Sequence, residues 1–498
     1  MAVSKTTTPA VVGADDSSEQ VVSLYRAQTK IYARAVTGWF ATWRWVLVWA
    51  TQLLFYGLPW LHWGERQAVL FDLEARRFYI FNLVLYPQDF IFLTALLIIS
   101  AYSLFLFTAV AGRLWCGFAC PQTVYTEIFM WVERHLEGDR PKRMKLDAGP
   151  WNLEKIWRKG GKQLIWISIA LWTGFTFVGY FTPIQTLAAE FQSLTVGPWE
   201  IFWVLFYGLA TYGFAGFMRE QVCKYMCPYA RFQSVMFDKD TLIISYDAER
   251  GEPRGTRGRK TDLKVAGLGS CIDCGLCVQV CPTGIDIREG LQYECIGCAA
   301  CIDVCDTVMD KMQYPRGLIR YDTQNGLQRH LGRQEVFKRI LRPRVLVYTA
   351  ILGVLCFAFL WGLATRDSFK VNVVRDRGAL ARLVDNGWIE NVYRLQIMNA
   401  TEQPQRFRIQ PSGMEGITVE APLELVLQPA EARWVPVAAR IPPQVAESAG
   451  PGSHPVQFVV DRLEIRQPAG GTAAPTAGGA AETVLDTLRE KSTFIVPR

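Results

Sequence analysis

The 498-residue sequence predicts a multi-domain membrane protein with about five transmembrane α-helices, a hydrophilic insert and a C-terminal all-β immunoglobulin-like sandwich. Three observations predict this architecture: five long apolar stretches, two dense runs of cysteine before the last stretch, and an alternation of apolar residues in the C-terminal part. Half of the residues are apolar and 20% are charged, which excludes a disordered chain. The net charge of +7 is modest for this length, so we expect no nucleic-acid partner.

The five apolar stretches predict membrane spans. Crossing a bilayer core takes about 20 mostly apolar residues. Helices buried in a soluble core are the alternative, but these are usually shorter or amphipathic. The stretches carry no formal charge and comprise residues 45–61, 90–112, 163–188, 201–218 and 345–365.

Charged loops predict the orientation, because Lys and Arg are retained on the cytoplasmic side of a membrane. The loop after the second stretch and the segment 219–342 are rich in both, whereas the loop between the third and fourth stretches has neither. We therefore expect a protein of the bacterial inner membrane, in contact with lipid. Its predicted parts are a cytoplasmic N-terminal segment (1–40), four helices with loops (41–218), a cytoplasmic segment (219–342), a fifth helix (343–366) and a periplasmic domain (367–498).

The cytoplasmic segment contains two cysteine runs of the type that bind iron–sulfur clusters. Each run has three thiols at Cys-x2-Cys-x2-Cys spacing and a fourth after three more residues, which is the bacterial 2[4Fe-4S] ferredoxin pattern. In this pattern the fourth cysteine of each run ligates the other cluster. The spacing predicts a ferredoxin domain at about 262–312, with one [4Fe-4S] cluster on Cys271, Cys274, Cys277 and Cys305, and a second on Cys295, Cys298, Cys301 and Cys281.

The two runs differ in the residue that follows them, and their thiols allow two alternatives to clusters. Pro282 follows the first run, as is usual, whereas Asp306 follows the second. The alternative to clusters is a pair of zinc knuckles, but zinc sites take pairs of thiols separated by a longer spacer. Disulfides are disfavoured because the predicted compartment is reducing.

Two further thiol pairs follow the second and fourth apolar stretches. They are Cys116-x3-Cys120-Pro121 and Cys223-x3-Cys227-Pro228. If the helices continue, this spacing puts both sulfurs of a pair on one face, and each proline favours a helix end at the second cysteine. Soft thiolates are suitable ligands for Cu(I). Two thiols so close together could also act as a reversible dithiol. Buried structural cysteines are the alternative, which is also the simplest interpretation of Cys356.

With these residues identified, the chain resembles the FixG/RdxA/CcoG family of cytochrome c oxidase accessory proteins. The resemblance covers most of residues 25–365, and Ala33 is a minor departure from it. Asp306 agrees with it. The stretches that carry it are Lys30-Ile-Tyr-Ala-Arg34, Arg66-Gln-Ala-Val-Leu-Phe-Asp72, Tyr86-Pro-Gln-Asp89, Trp115-Cys-Gly-Phe-Ala-Cys-Pro-Gln122, Tyr225-Met-Cys-Pro-Tyr-Ala-Arg-Phe-Gln233 and Cys301-Ile-Asp-Val-Cys305-Asp306.

The resemblance implies a membrane-bound oxidoreductase that acts in assembly of a C-type haem-copper oxidase. It implies that the two clusters relay electrons from an unidentified cytoplasmic donor. It also implies that Cys116, Cys120, Cys223 and Cys227 are the catalytic thiols where Cu(II) becomes Cu(I), with oxidase subunits or copper chaperones as partners. Two alternatives stay open: a quinol-oxidising respiratory relay, and a non-catalytic assembly scaffold.

The C-terminal part predicts a β-sandwich. Period-two runs bounded by Gly, Pro and Asn indicate strands, and seven such runs suit an antiparallel immunoglobulin-type fold. The Ala- and Gly-rich segment 468–481 is predicted to be a mobile loop. The seven runs comprise residues 369–374, 388–398, 406–410, 417–419, 423–427, 433–438 and 456–463.

Overall fold

The computed structural model describes residues 30–259, 261, 263–376, 378, 381–420, 424–464 and 483–497. Most of the predicted N-terminal segment and the loop predicted at 468–481 lie outside the described residues.

The N-terminal half is mainly helical, with a small sheet between its first two long helices. After α8 the chain continues through two π-helical segments, Tyr212–Met218 and Val222–Met226. The elements are α1 (Trp39–Gly57), β1 (His62–Trp63), β2 (Arg66–Gln67), β3 (Val69–Asp72), β4 (Arg77–Ile80), β5 (Leu83–Leu85), α2 (Phe90–Ala111), α3 (Leu114–Phe118), α4 (Pro121–Glu137), α5 (Arg140–Ala148), α6 (Leu153–Val178), α7 (Ile184–Ser193), α8 (Pro198–Thr211) and α9 (Pro228–Met236).

Within the described residues, three helices are long and apolar enough to cross a membrane. They are Pro87–Ala111, Pro198–Met218 and Pro343–Ala364. The predicted count of five spans is not confirmed. The first predicted stretch falls largely in α1, and the third is divided because the chain turns after α6 and resumes as α7.

Close contacts join the long helices in pairs. At Gly174 of α6 a β-carbon would lie 2.2 Å from the carbonyl oxygen of Val204 in α8, so only glycine permits this approach. Small residues allow the backbones of membrane helices to approach in this way. The Phe92 ring of α2 contacts Phe359 near the C-terminal end of the last long helix, with ring centroids 6.0 Å apart.

The segment between α9 and the last long helix is a compact cysteine-rich domain closed by one antiparallel strand pair. Ile243 pairs with Asp322 at one end of this strand pair, and Tyr246 pairs with Ile319 at the other. The elements are β6 (Ile243–Tyr246), α10 (Ala248–Gly251), α11 (Leu263–Ala266), α12 (Leu276–Gln279), α13 (Ala300–Met312), β7 (Ile319–Asp322), α14 (Gln324–Arg329), α15 (Arg333–Lys338) and the membrane helix α16 (Pro343–Ala364).

The C-terminal domain is an antiparallel sandwich, as predicted. One sheet has the order β12-β14-β10-β8 with β9 beside β10, and the other has the order β13-β11-β15-β16. Rings from both sheets, such as Tyr393 and Phe458, meet in a common core. Its elements are β8 (Phe369–Arg375), β9 (Arg382–Leu383), β10 (Ile389–Asn399), β11 (Gln405–Ser412), β12 (Thr418–Glu420), β13 (Glu424–Leu427), β14 (Ala432–Ile441), α17 (Pro443–Ala449), β15 (Gly452–Leu463) and β16 (Val484–Val496).

All seven predicted runs overlap strands, but the sequence analysis missed β9 and β16. The long strand β16 lies at the edge of its sheet and is rich in charge, including Arg489, Glu490 and Lys491. Charged edge strands protect a sheet from further pairing. The same charges obscure the apolar alternation by which strands are recognised.

The small sheet β3-β4-β5 packs against the sandwich. Tyr86 donates its hydroxyl proton to the carbonyl oxygens of Asn399 and Ala430, at 2.9 and 3.1 Å. The buried carboxylate of Asp89 pairs with Arg366 at 2.8 Å and with Lys370. The small sheet and the sandwich therefore lie at one end of the helices, while the cysteine-rich domain lies at the other.

Candidate redox and metal site

Two cavities in the cysteine-rich domain are lined by the thiols of the double run. The first is bordered by Cys271, Cys274, Cys277 and Cys305. The second is bordered by Cys281, Cys295, Cys298 and Cys301, with Cys277 at its edge. The fourth cysteine of each run thus faces the cavity of the other run. This arrangement of thiols around two adjoining, mainly apolar cavities fits two [4Fe-4S] clusters.

The two runs share one backbone conformation. The residues before and after the second cysteine are left-handed in both: Asp273 and Gly275 in the first run, Gly297 and Ala299 in the second. The third cysteine then lies in the first turn of a helix, α12 or α13. Left-handed residues reverse the chain sharply, so three thiols of one short loop can face the same cavity.

The exits of the two runs differ, and the difference explains Asp306. The first run ends in a turn at Pro282 and Gly284, whose φ is +72°. The second run continues within α13, where a proline would break the helix. Asp306 accepts a hydrogen bond from the backbone N–H of Gly317 at 2.9 Å and so fixes the chain that follows α13.

Burial raises the pKa of several of these thiols. The pKa of Cys277 is raised to about 11, and those of Cys295 and Cys305 to about 12, mainly because burial disfavours the thiolate. Neighbouring thiols act in the same direction at Cys305, where Cys277, Cys271 and Cys274 contribute. Because metals bind thiolates, cluster binding must release protons.

The thiols of the two Cys-x3-Cys pairs come together although a hundred residues separate them in sequence. Burial raises the pKa of Cys223 to about 12, and the nearby thiols of Cys120, Cys116 and Cys227 raise it as well. The Cys116 thiol donates to the side-chain oxygen of Gln233 in α9. No three His, Cys, Asp or Glu side chains of the described residues lie close enough to hold a single metal ion.

The two pairs have matching local structures. Cys116 lies in α3 and Cys223 in a π-helical turn, whereas Cys120 and Cys227 are extended and immediately precede α4 and α9. Pro121 and Pro228 begin these helices, as the geometry of proline favours. The two cysteines of a pair thus do not share a continuous helix, and the helix ends before the second cysteine as the prolines predict.

The chain at Cys116 packs against the loop of the second cysteine run. At Gly117 a β-carbon would be 2.7 Å from the backbone of Gly297, which lies between Cys295 and Cys298. Cys116 packs in one apolar cluster with Cys298, and Cys301 borders this cluster. The backbone of Gly117, next to Cys116, therefore contacts the loop of the second run with no side chain between them.

Polar contacts hold the cysteine-rich domain in this position. Arg113 donates to the carbonyl oxygen of Tyr293 at 2.6 Å, and Lys224 donates to that of Thr283 at 2.9 Å. At the other side of the domain, Asp303 accepts hydrogen bonds from the N–H groups of Phe40 and Ala41 at the start of α1. A carboxylate at a helix N-terminus satisfies free donors and complements the helix dipole.

A buried ion cluster fixes α4 relative to the segment that carries Cys223. Glu133 of α4 pairs with Arg143 at 2.7 Å, with Arg219 at 3.1 Å and with Lys162 at 3.5 Å. Burial alone would raise the pKa of Glu133, but Arg219, Arg143 and Lys162 hold it below its ordinary value. Arg219 lies four residues before Cys223, so this cluster positions one thiol pair against the other.

The sequence analysis identified all twelve thiols but missed the groups that position them. Arg113 and Glu133 lie outside the motifs, whereas Gly117 and Gln233 lie within motifs that gave neither residue a role. Their roles depend on contacts between distant segments. The arrangement as a whole defines a class, the membrane proteins that transfer electrons through iron–sulfur clusters.

Comparisons with family models agree with this class. A model for a 4Fe-4S dicluster domain matches residues 218–324, and one for the immunoglobulin-like fold at the C-terminus of FixG matches residues 359–497. A further model for a 4Fe-4S binding domain matches residues 92–138, which include Cys116 and Cys120. The last match was not expected, because copper, a reversible dithiol and buried structural cysteines were the interpretations considered for these two thiols.

Relatives with similar sequences include FixG, named a nitrogen fixation protein, from Rhizobium meliloti, at 38% identity over 80% of this chain and 82% of its own. Protein RdxB from Cereibacter sphaeroides is also 38% identical, over 90% of this chain and 94% of its own. A solved FixG-related protein from Vibrio parahaemolyticus matches 26% of this chain and 96% of its own, at 22% identity and a TM-score of 0.20. The chain belongs to the FixG/RdxA family, as the resemblance of its motifs predicted.

The ion cluster at Glu133 gives a stability prediction. Glu133→Gln removes the counter-charge of the buried Arg143 and Arg219, whereas Lys162 keeps Glu137 at 2.7 Å. Breaking such a pair costs roughly 3 kcal/mol, so we expect a clearly lower melting temperature of the purified protein in detergent. Because the pKa of Glu133 is lowered, its contribution is present above the ordinary carboxyl pKa and is lost as the pH falls through the lowered value. The difference between variant and wild type should therefore shrink in acid.

Glu154→Gln is the matched control, because Glu154 forms an exposed pair with Arg158 four residues along α6. Such pairs contribute little, about 0.3–0.5 kcal/mol. Equal melting temperatures for the two variants would contradict the role given to Glu133.

Proposed function

We propose that this protein is a membrane-bound cupric reductase that converts Cu(II) to Cu(I) for assembly of a C-type haem-copper cytochrome c oxidase. The observation that carries the proposal is the position of the four thiols Cys116, Cys120, Cys223 and Cys227. They gather at one end of the helices, and Cys116 packs on the loop of the second cysteine run, where the backbones of Gly117 and Gly297 are in close contact.

The proposed clusters supply single electrons. We assign Cys271, Cys274, Cys277 and Cys305 to one cluster, and Cys295, Cys298, Cys301 and Cys281 to the other. The cavities lined by these two sets support the assignment. The shared edge at Cys277 supports transfer between them, and the apolar packing of Cys116 on Cys298 and Cys301 supports transfer onward to the four thiols.

The four thiols suit the product of the proposed reaction. Each Cu(II) takes one electron to become Cu(I), a soft ion that thiolates favour over the harder Cu(II). Cu(I) accepts as few as two ligands, so a pair of thiols can hold it. The raised pKa of Cys223 means that copper must displace a proton from this thiol.

The proposed orientation has the N-terminus and the cysteine-rich domain in the cytoplasm of a bacterium and the sandwich in the periplasm. Opposite ends of the helices carry these two domains, which supports it, and so does the basic character of 219–342. We propose five spans, of which α1 and α6 are the two beyond the three apolar helices, and these two pack together through the Tyr56–Thr173 hydrogen bond at 2.8 Å. Proposed partners are oxidase subunits or copper chaperones at either face.

Replacing thiols tests the proposal. In Cys116→Ser/Cys227→Ser, we expect the dithionite-reduced protein to lose at least nine-tenths of its rate of Cu(II) reduction, because each pair keeps one soft ligand only. A Cu(I)-specific chelator measures the product under anaerobic conditions. Cys356→Ser, which changes a thiol within α16, is the control and should match the wild type. Unchanged reduction in the double variant would reject the thiol site.

The match of a 4Fe-4S binding domain to residues 92–138 favours a second use of the same thiols, as ligands of a further iron–sulfur group. Iron and labile sulfide in Cys116→Ser/Cys227→Ser separate the two uses. The copper proposal expects the iron content of the wild type. A loss of iron from the double variant would favour the further cluster.

A second variant tests the path and leaves every thiol in place. Gly117→Val inserts a side chain where even a β-carbon would meet Gly297 at 2.7 Å, so the two loops must separate. We expect normal iron content and a Cu(II) reduction rate at least tenfold lower. Gly213→Val is the control, because a β-carbon there meets nothing within 4 Å. A wild-type rate in Gly117→Val would show that electrons do not cross at this contact.

A further inference from the structure

A cavity of about 830 Å³ lies between α1, the C-terminal end of α2, α3 and the strand β7. This volume is typical of sites for small molecules, about 300–1,000 Å³. Helix α1 lines it with Trp39, Phe40, Trp43 and Leu47, whereas β7 contributes the polar side chains of Arg320 and Asp322. A largely apolar wall with a few convergent polar groups is the usual form of a ligand site.

The cavity lies at the level where the membrane meets the cytoplasmic domain. Ala111, the last residue of the apolar helix α2, is part of its wall. Trp39 and Trp43, at the start of α1, are 65% and 48% exposed, with ring centroids 6.1 Å apart. Tryptophan is enriched at membrane–water interfaces. A ligand with a polar ring and an apolar tail can therefore reach the cavity from the lipid.

The cavity also lies beside the two cysteine cavities. Phe40, Leu47 and Phe118 belong to the same apolar core as Cys271, Cys277 and Cys301. Tyr321 lines the cavity and donates its hydroxyl proton to the carbonyl oxygen of Gly297, at 2.6 Å, within the second cysteine run. One layer of side chains thus separates this space from the thiols.

We infer that the cavity binds the ring of a lipid quinol, which is the electron donor of this protein in place of a cytoplasmic one. The inference rests on the proposed function, because it assigns the source of the electrons. Proximity to the clusters and the polar wall favour a redox ring over a lipid acyl chain, which needs no polar partner.

The oxidation balances with the groups at hand. The two O–H bonds of the quinol break, the quinone forms, and each cluster accepts one of the two electrons. The two protons leave in turn through the carboxylate of Asp322 to water. Asp322 is buried and accepts from Arg320 at 2.8 Å, and Arg320 also pairs with Asp247 at 2.9 Å. A carboxylate has lone pairs for a further hydrogen bond, here from a quinol hydroxyl.

Binding is tested on the full-length, cluster-loaded protein in phosphatidylcholine nanodiscs, with an azido-ubiquinone as photoaffinity probe and decylubiquinone as competitor. We expect saturable labelling of peptides from α1 or β7. Trp43→Ala, which removes a wall, and Leu47→Trp, which fills the space, should each lower labelling at least tenfold. Trp49→Ala is the control, because Trp49 lies on the same helix, is 62% exposed and does not line the cavity.

A second readout tests Asp322. In Asp322→Asn, decylubiquinol should bleach the clusters at least tenfold more slowly, while dithionite bleaches them as in the wild type. Absence of saturable labelling, labelling confined to other helices, or equal loss in Trp49→Ala would overturn the inference. Dithionite-driven copper reduction without quinone binding overturns this inference alone, whereas quinone binding without any copper reduction overturns the proposed function alone.

Discussion

The contact between Gly117 and Gly297 is the constraint on which the arrangement of the site depends. It places the chain at Cys116 against the loop that carries Cys295 and Cys298. Electron transfer between redox centres requires short distances, and no side chain separates the backbones at this point. Hydrogen bonds on several sides hold the cysteine-rich domain there. Asp303 accepts from the backbone N–H of Ala41 at the start of α1, and Arg113 donates to the carbonyl oxygen of Tyr293. The helices and the cysteine-rich domain thus bring the large cavity, the two cysteine cavities and the four thiols close to one another.

The sequence determined more of the chemistry than of the arrangement. The spacing of the double cysteine run predicted which thiols face each cavity, because that spacing is tied to short loops with left-handed residues such as Asp273 and Ala299. The prolines after Cys120 and Cys227 predicted the helix ends for an equally local reason. Seven of the nine strands of the sandwich followed from alternation. These features depend only on residues that are close together in the sequence, so a single sequence is enough to predict them.

Other features depend on contacts between distant segments and could not be predicted in this way. The charges of β16 conceal an edge strand, and the turn between α6 and α7 divides a stretch that reads as one apolar run. The pairing of Glu133 with Arg143, Arg219 and Lys162 joins α4 to three other segments. The match of a 4Fe-4S binding domain to residues 92–138 adds a possibility that the spacing of Cys116 and Cys120 does not suggest by itself.

In the function that we propose, iron–sulfur clusters deliver electrons to copper at the neighbouring thiols. Electron paramagnetic resonance of the anaerobically purified, dithionite-reduced protein, recorded before and after one addition of Cu(II), tests it most directly. We expect the signal of two interacting reduced clusters, and its loss on addition of Cu(II) without a Cu(II) signal in its place. A protein that contains zinc and no iron, or cluster signals that persist beside unreduced Cu(II), would contradict it.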